Sequence, residues 1–369
     1  MIDRRWRLGL VLGVFLAGCA PMATPAGPLQ AEPGVAEPAI AERTLTAYDG
    51  TRLPLHAWLP AVDDGSGDGN ADGNSKGGRV RAVILALHGF NDYGNFFAAA
   101  GAFLAEQGIA SYAYDQRGFG MTANRGLWPG TEALIADAKA AVEALRRRHP
   151  GVPLYILGES MGGAVATVTL TRPDPPAVDG VILSAPAVWG RSTMPWYQTA
   201  ALWLTAHTVP GMTLTGRGLK IIPSDNIEML RALSRDPLVI KKTRVDAVFG
   251  LVNLMDEALA AAPALEARAL ILYGERDELV PKEPVRQFLA DLPPAGSASR
   301  RVAIYENGYH MLLRDLQAET VWADIAAWIA DAGRPLPSGS DTRVTASGTC
   351  RLWSLCDKVQ AAPAVEGAG

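Results

Sequence analysis

The sequence predicts an α/β fold: a mostly parallel central sheet flanked by helices, with a helical cap inserted between two strands. Three observations carry this reading. From residue 81 onward, short apolar runs alternate with longer amphipathic stretches. The rhythm fails once, between residues 185 and 266, where no strand pattern is visible. The pentapeptide Gly158-Glu159-Ser160-Met161-Gly162 joins an apolar run to a run of small residues. Strands that read as continuous apolar runs are buried on both faces, so helices must cover both sides of the sheet. Ligands then bind outside the carboxyl ends of the strands.

Composition supports a globular chain and narrows its partners. Of 369 residues, 49% are hydrophobic and 20% charged, and the net charge is −4. Without a basic excess to neutralise phosphates, nucleic acid is not an expected partner. Three cysteines exclude a disulfide-dense scaffold and a four-cysteine zinc site.

The N-terminus reads as an address. Arg4, Arg5 and Arg7 precede an apolar run at 8–17. That run is about half the length needed to cross a hydrocarbon core. Leu16-Ala17-Gly18-Cys19 follows, so residues 1–18 have the form of a signal peptide. The tetrapeptide resembles the lipobox of bacterial lipoproteins. That resemblance implies cleavage before Cys19 and acylation of Cys19, giving a membrane anchor. Ala20, where an aspartate commonly signals inner-membrane retention, favours the outer membrane facing the periplasm. Cys350 and Cys356 then remain, in a compartment where disulfides persist, and a Cys350–Cys356 bridge is expected.

The elements follow in order. Residues 19–42, rich in Pro, Ala, Gly and Glu, read as a flexible tether. The main domain spans 43–332. Runs at 44–47 and 52–59 are strands around the Asp49-Gly50 turn. Residues 61–78 form a polar, flexible insert. Asp68, Asn70, Asp72 and Gly73 match half of a calcium loop, but Arg79 stands where the bidentate glutamate belongs, so no metal is expected there. Strands are predicted at 82–87, 109–115, 154–157, 178–184, 269–273 and 302–305. Helices are predicted at 95–107, 131–148, 161–170, 284–290 and 316–330. Thr131 is the expected N-cap of its helix, with Glu132 early and Arg146, Arg147 and Arg148 late, as the helix dipole favours. The cap covers about 187–262. Residues 333–369 read as an appendage.

The pentapeptide carries the chemistry. A serine held on a sharp strand-to-helix turn exposes its hydroxyl, and glycines two before and two after let backbone pass closely. Serine needs a base to become a nucleophile. In nucleophile-elbow enzymes the acid and then the histidine follow the serine. Only His207 and His310 follow Ser160. His207 lies in an apolar part of the cap, whereas His310 follows the strand at 302–305 and a turn. His310 is therefore the expected base. The strand at 269–273 leads into Gly274-Glu275-Arg276-Asp277-Glu278, and Asp277 is the expected acid, with Glu275 and Glu278 as competitors. The expected oxyanion donors are the backbone amides of Met161 and Phe90, the latter in His88-Gly89-Phe90. His88 is expected to brace that loop.

Five segments now stand in order: His88-Gly89-Phe90, residues 114–120 (Tyr-Asp-Gln-Arg-Gly-Phe-Gly), residues 158–163, Leu183-Ser184-Ala185-Pro186, and residues 274–281. Together they resemble the monoacylglycerol lipase and lysophospholipase branch of the α/β-hydrolase fold, also described as serine aminopeptidase-like. The resemblance covers residues 43–332. It implies two-step acyl transfer on carboxylic esters of lipid-like substrates, with no cofactor. Met121-Thr122, where the family usually has a serine nearby, departs from the pattern. Peptidase, thioesterase or acyltransferase activity on the same residues is the alternative, and a non-catalytic envelope binding protein is a further one. Dehalogenation is disfavoured because its nucleophile is an aspartate.

Overall fold

The apolar runs become neighbouring strands whose backbone groups pair with one another across the sheet. The computed structural model describes residues 36–61, 80–216, 218, 220–293 and 300–343. Cys19, Cys350, Cys356, the signal segment and nearly all of the 61–78 insert lie outside the described residues. The chain opens with β1 (Ala39–Ala41), β2 (Thr44–Thr46) and β3 (Arg52–Trp58). It continues through β4 (Ala82–Leu87), a 3-10 turn (Gly94–Phe97), α1 (Ala98–Glu106), β5 (Ile109–Tyr114) and α2 (Thr131–Arg148). Next come β6 (Leu154–Glu159), α3 (Met161–Thr171) and β7 (Gly180–Ser184). The inserted interval holds α4 (Trp196–Thr208), β8 (Thr213–Leu214), α5 (Ile227–Arg235), β9 (Thr243–Arg244) and α6 (Val245–Ala261). The sheet resumes with β10 (Ala269–Gly274), α7 (Lys282–Asp291), β11 (Arg300–Tyr305), α8 (Ala318–Ala330) and β12 (Asp341–Arg343).

Ten strands form one sheet in the order β1-β2-β3-β5-β4-β6-β7-β10-β11-β12. Neighbours from β5 to β11 are parallel, and both margins are antiparallel. The order turns back at β4, between β5 and β6. Chains leaving β4 and β6 therefore diverge to opposite faces and open a crevice at their carboxyl ends.

Side chains along β4 alternate between two cores. Val83, Leu85 and Leu87 join residues of α2, α3, α6 and α7 on one face. Ala82, Ile84 and Ala86 join residues of α1 and α8 on the other. Each buried Val, Ile or Leu contributes about 1.5–3 kcal/mol relative to exposure. Two cores pressing on one sheet hold its carboxyl ends rigid, which any constellation built there requires.

Several elements differ from the sequence reading. Thr131 is the first residue of α2, not its cap; Gly130, at φ 90°, occupies the cap, and no side chain bonds there. The inserted interval is not strandless, since β8 and β9 pair antiparallel. Its last helix, α6, buries Ala247, Val252, Leu254, Met255, Ala258 and Leu259 in the sheet-covering core, so it works as a layer helix. Ahead of the main domain, β1 pairs with β2 rather than continuing the tether. Residues 333–343 are not an appendage: Leu336 is buried, β12 pairs with β11, and Asp341 makes an ion pair with the buried Arg301. A buried guanidinium needs that carboxylate, which fixes the last strand in place.

Candidate active site

Ser160 sits at the end of β6 with φ 52° and ψ −114°, a left-handed conformation that a serine rarely adopts. The turn over-determines it. Ser160 N–H donates to Ser184 O at 2.9 Å, and Ser160 O accepts from Gly163 N and Ala187 N, both at 2.9 Å. The flanking glycines are obligatory: a Cβ on Gly158 would lie 2.3 Å from Gly162 O, and one on Gly162 would lie 2.1 Å from Leu87 O. Both obstacles are backbone and cannot swing away. Gly162→Ala is expected to destabilise the fold by about 1–3 kcal/mol or more, read as a fall in Tm. An unchanged Tm would contradict this geometry.

His310 and Asp277 meet directly. His310 Nδ1–H donates to Asp277 Oδ2 at 2.8 Å, and both residues are buried. Asp277 Oδ1 accepts from Leu279 N at 2.8 Å and from Val280 N at 2.9 Å. The carboxylate is thus locked from behind, leaving one oxygen for the imidazole. The competitors serve elsewhere: Glu275 faces Lys282 at 3.6 Å, and Glu278 accepts from Ile222 N at 2.8 Å. Burial pushes the His310 pKa down, but the charge and hydrogen bond of Asp277, with the charge of Glu159, outweigh it, and the net shift is upward. Gly274 lets the histidine-bearing turn cross the end of β10, where a Cβ would lie 2.4 Å from Tyr309 O.

The loop after β4 lies in van der Waals contact with the serine. A Cβ on Gly89 would sit 3.4 Å from Ser160 Cβ. Met161 opens α3, so its N–H has no helical acceptor. Among the described residues, the amide of Phe90 bonds no backbone carbonyl outside the regular elements. The Phe90 ring packs on Phe119 and Trp128, with centroids 5.7 and 6.4 Å away. His88 braces this loop from within. Its Nδ1–H donates to Gly89 O at 2.8 Å, and its Nε2 accepts from Gln116 N at 2.9 Å. That pattern needs the neutral ring, and burial holds the His88 pKa down accordingly.

His207 stacks on Trp203 at 4.5 Å and bonds Trp203 O, within the cap. His149 meets the hydroxyl of Tyr112 at 2.9 Å, and His56 stands 3.5 Å from Asp115. Among the described residues, no group of His, Cys, Asp or Glu is placed to hold a metal ion.

Sequence reasoning overlooked a buried charge cluster. Arg314 reaches Asp92 Oδ2 and Glu159 Oε1, each at 2.8 Å. Its signal was Glu159 beside Ser160, an acid in a run otherwise apolar or small. Also overlooked was how the cap is tied down. Ser224 Oγ donates to Asp315 Oδ1 at 2.6 Å, Asn226 Nδ2 to Arg314 O at 2.9 Å, and Met311 N to Pro223 O at 3.0 Å. At the other end of α5, Tyr93 Oη donates to Asp236 Oδ2 at 2.7 Å and Ile240 N to Asn91 O at 2.9 Å. The helix therefore spans from the histidine turn to the loop after β4.

A strained serine at the end of β6, a histidine after β11 and a carboxylate after β10, all on one rim of a mostly parallel sheet, define an α/β-hydrolase. The family model for serine aminopeptidase, S33, matches residues 78–317, and the chain belongs to that family. It is 23% identical to a monoacylglycerol lipase of Mycolicibacterium smegmatis, over 78% of this chain and 96% of that protein. It is 25% identical to human monoglyceride lipase, over 69% of this chain and 84% of that one. In fold it is similar to a soluble variant of monoglyceride lipase from Saccharomyces cerevisiae in complex with a substrate analog. That likeness has a TM-score of 0.61 and 20% identity, over 83% of this chain and 98% of the other. The chain is an ester hydrolase.

Proposed function

We propose that the chain hydrolyses monoacylglycerol- or lysophospholipid-type esters through Ser160, His310 and Asp277. The observation that carries this reading is the 2.8 Å bond from His310 Nδ1–H to a carboxylate locked by two backbone amides. It leaves Nε2 free of the proton, as a base for serine must be. Ser160 Oγ attacks the ester carbonyl as His310 takes its proton. The amides of Met161 and Phe90 hold the tetrahedral oxyanion, an interaction worth roughly 3–4 kcal/mol per donor. His310 then protonates the departing alcohol, and water hydrolyses the acyl-enzyme by the same route.

The relatives named above and the cap support this substrate class. Trp196, Tyr197, Trp203 and Leu204 on α4 are exposed, Trp196 by 80%. Most apolar residues of cap helices pack, so four large exposed ones on one helix favour contact with acyl chains or a lipid surface. The paired change Trp196→Ser with Trp203→Ser is expected to shift preference toward short-chain p-nitrophenyl esters. An unmoved chain-length profile would refute the role of α4. The reading as a whole is tested with a panel of p-nitrophenyl esters, monoacylglycerols, lysophospholipids and aminoacyl amides. Highest kcat/KM on monoacylglycerols or lysophospholipids supports it. Highest kcat/KM on aminoacyl amides would replace it with the peptidase reading that the family's description offers.

The chain is further proposed to be anchored through acylated Cys19 in the outer membrane, facing the periplasm, with Cys350 and Cys356 bridged. Among the described residues, no helix is long and apolar enough to cross a membrane. Cys19→Ser is expected to move the protein from the membrane fraction to the soluble envelope fraction. Continued membrane retention would sink the anchor. Two free thiols in the exported protein, found by non-reducing mass spectrometry, would sink the bridge.

A further inference from the structure

We propose that Arg314 is a positioning residue of the hydrolytic site, tying the serine turn, the oxyanion loop and the histidine turn into one unit. The inference rests on the serine-hydrolase reading above. Arg314 lies four residues after His310; its side chain is only 9% exposed, and both its partners are buried. One arm of the guanidinium holds Glu159, the residue before Ser160. The other holds Asp92, two residues after Phe90. Asp92 uses its second oxygen to accept Tyr93 N at 2.9 Å, which shapes the loop that carries Phe90. Glu159 lies directly beneath that loop, with Oε1 3.9 Å from where a Cβ on Gly89 would stand. The backbone of Arg314 is held as well, since its N–H donates to Met311 O at 2.8 Å.

The arrangement is chemically particular. A guanidinium presents several donors in a fixed plane, so a single side chain can hold two carboxylates at a set separation. An ammonium is a point charge and cannot do this. Attack, oxyanion binding and proton transfer need three loops in register within a fraction of an ångström. Cap contacts reach the loop after β4 and the histidine turn, whereas Arg314 bonds directly to the residue before Ser160 and to the loop that carries Phe90. Three charged groups face His310: Asp277 from the loop after β10, Glu159 from the end of β6, and Arg314 from its own turn. The first two favour the imidazolium and the third opposes it.

The test compares the wild-type chain with Arg314→Met, Arg314→Lys and Glu159→Gln. The readouts are kcat and KM on a soluble p-nitrophenyl ester, the fluorophosphonate labelling rate, the pH profile and Tm. Arg314→Met is expected to lower kcat and the labelling rate about 10- to 100-fold, with KM held within about threefold. Arg314→Lys should recover part of that loss. Glu159→Gln keeps the shape and an acceptor for Arg314. It should lower kcat less, and it should move the acid limb of kcat/KM to lower pH. If Arg314→Met does not fold, the other two variants decide. Wild-type kcat, labelling rate and acid limb in both would overturn the proposal, as would a loss confined to KM. A wild-type chain that neither hydrolyses esters nor labels would overturn the serine-hydrolase reading and this inference with it. An active wild type with indifferent variants overturns only the role of Arg314.

Discussion

Ser160→Ala is expected to lower kcat by about 10⁶, with KM and Tm little changed. The hydroxyl is the only group removed, and the neighbouring Glu159 carboxylate is held by Arg314. Alanine suffers the same strain as serine at φ 52°, and the bonds that hold the turn are made by backbone atoms. Fold and substrate binding should therefore survive. Residual catalysis of about 10³–10⁴ over water would come from the oxyanion donors and binding alone. The measurement is turnover of a p-nitrophenyl ester by protein whose Tm matches wild type. Turnover near the wild-type value would place the nucleophile elsewhere.

Asp277→Asn is expected to lower kcat by about 10⁴. The reason lies in the direction of the hydrogen bonds. Oδ1 accepts two backbone amides, from Leu279 and Val280. An asparagine must keep its carbonyl oxygen there, so its NH₂ turns to His310. Nδ1 then becomes an acceptor and the ring proton moves to Nε2, where it can no longer take a proton from serine. The pH profile carries a second signature. The base works when neutral, so activity is present above the His310 pKa and lost as pH falls through it. Asp277 raises that pKa, and its replacement should move the acid limb to lower pH while the plateau falls. A plateau within tenfold of wild type, or an unmoved limb, would contradict the pairing.

Much of the fold was legible because the physics is local. Runs such as those of β4 and β10 are apolar at every position, which only a strand covered on both faces tolerates. The strand-to-helix glycines around Ser160 were legible for the same reason, since backbone close approach leaves few residues to choose from. His310 and Asp277 could be chosen from chain order and strand ends, and the structure brings those two side chains together. What stayed hidden depends on partners distant in sequence. Arg314 and Asp92 look like ordinary surface charges until the fold brings them to Glu159 with little exposure. Leu336 and Asp341 look like part of an appendage until the fold buries the one and pairs the other with Arg301. The amphipathic pattern of α6 fits a lid and a layer helix equally. Only its packing against the sheet core separates them.

Fluorophosphonate labelling followed by peptide mass spectrometry tests most directly that this hydrolase works through Ser160. A single phosphonyl adduct is expected on the peptide containing Ser160, absent from Ser160→Ala and slower to form in Asp277→Asn. An enzymatically active chain that carries no adduct, or carries it on another residue, would contradict the assignment.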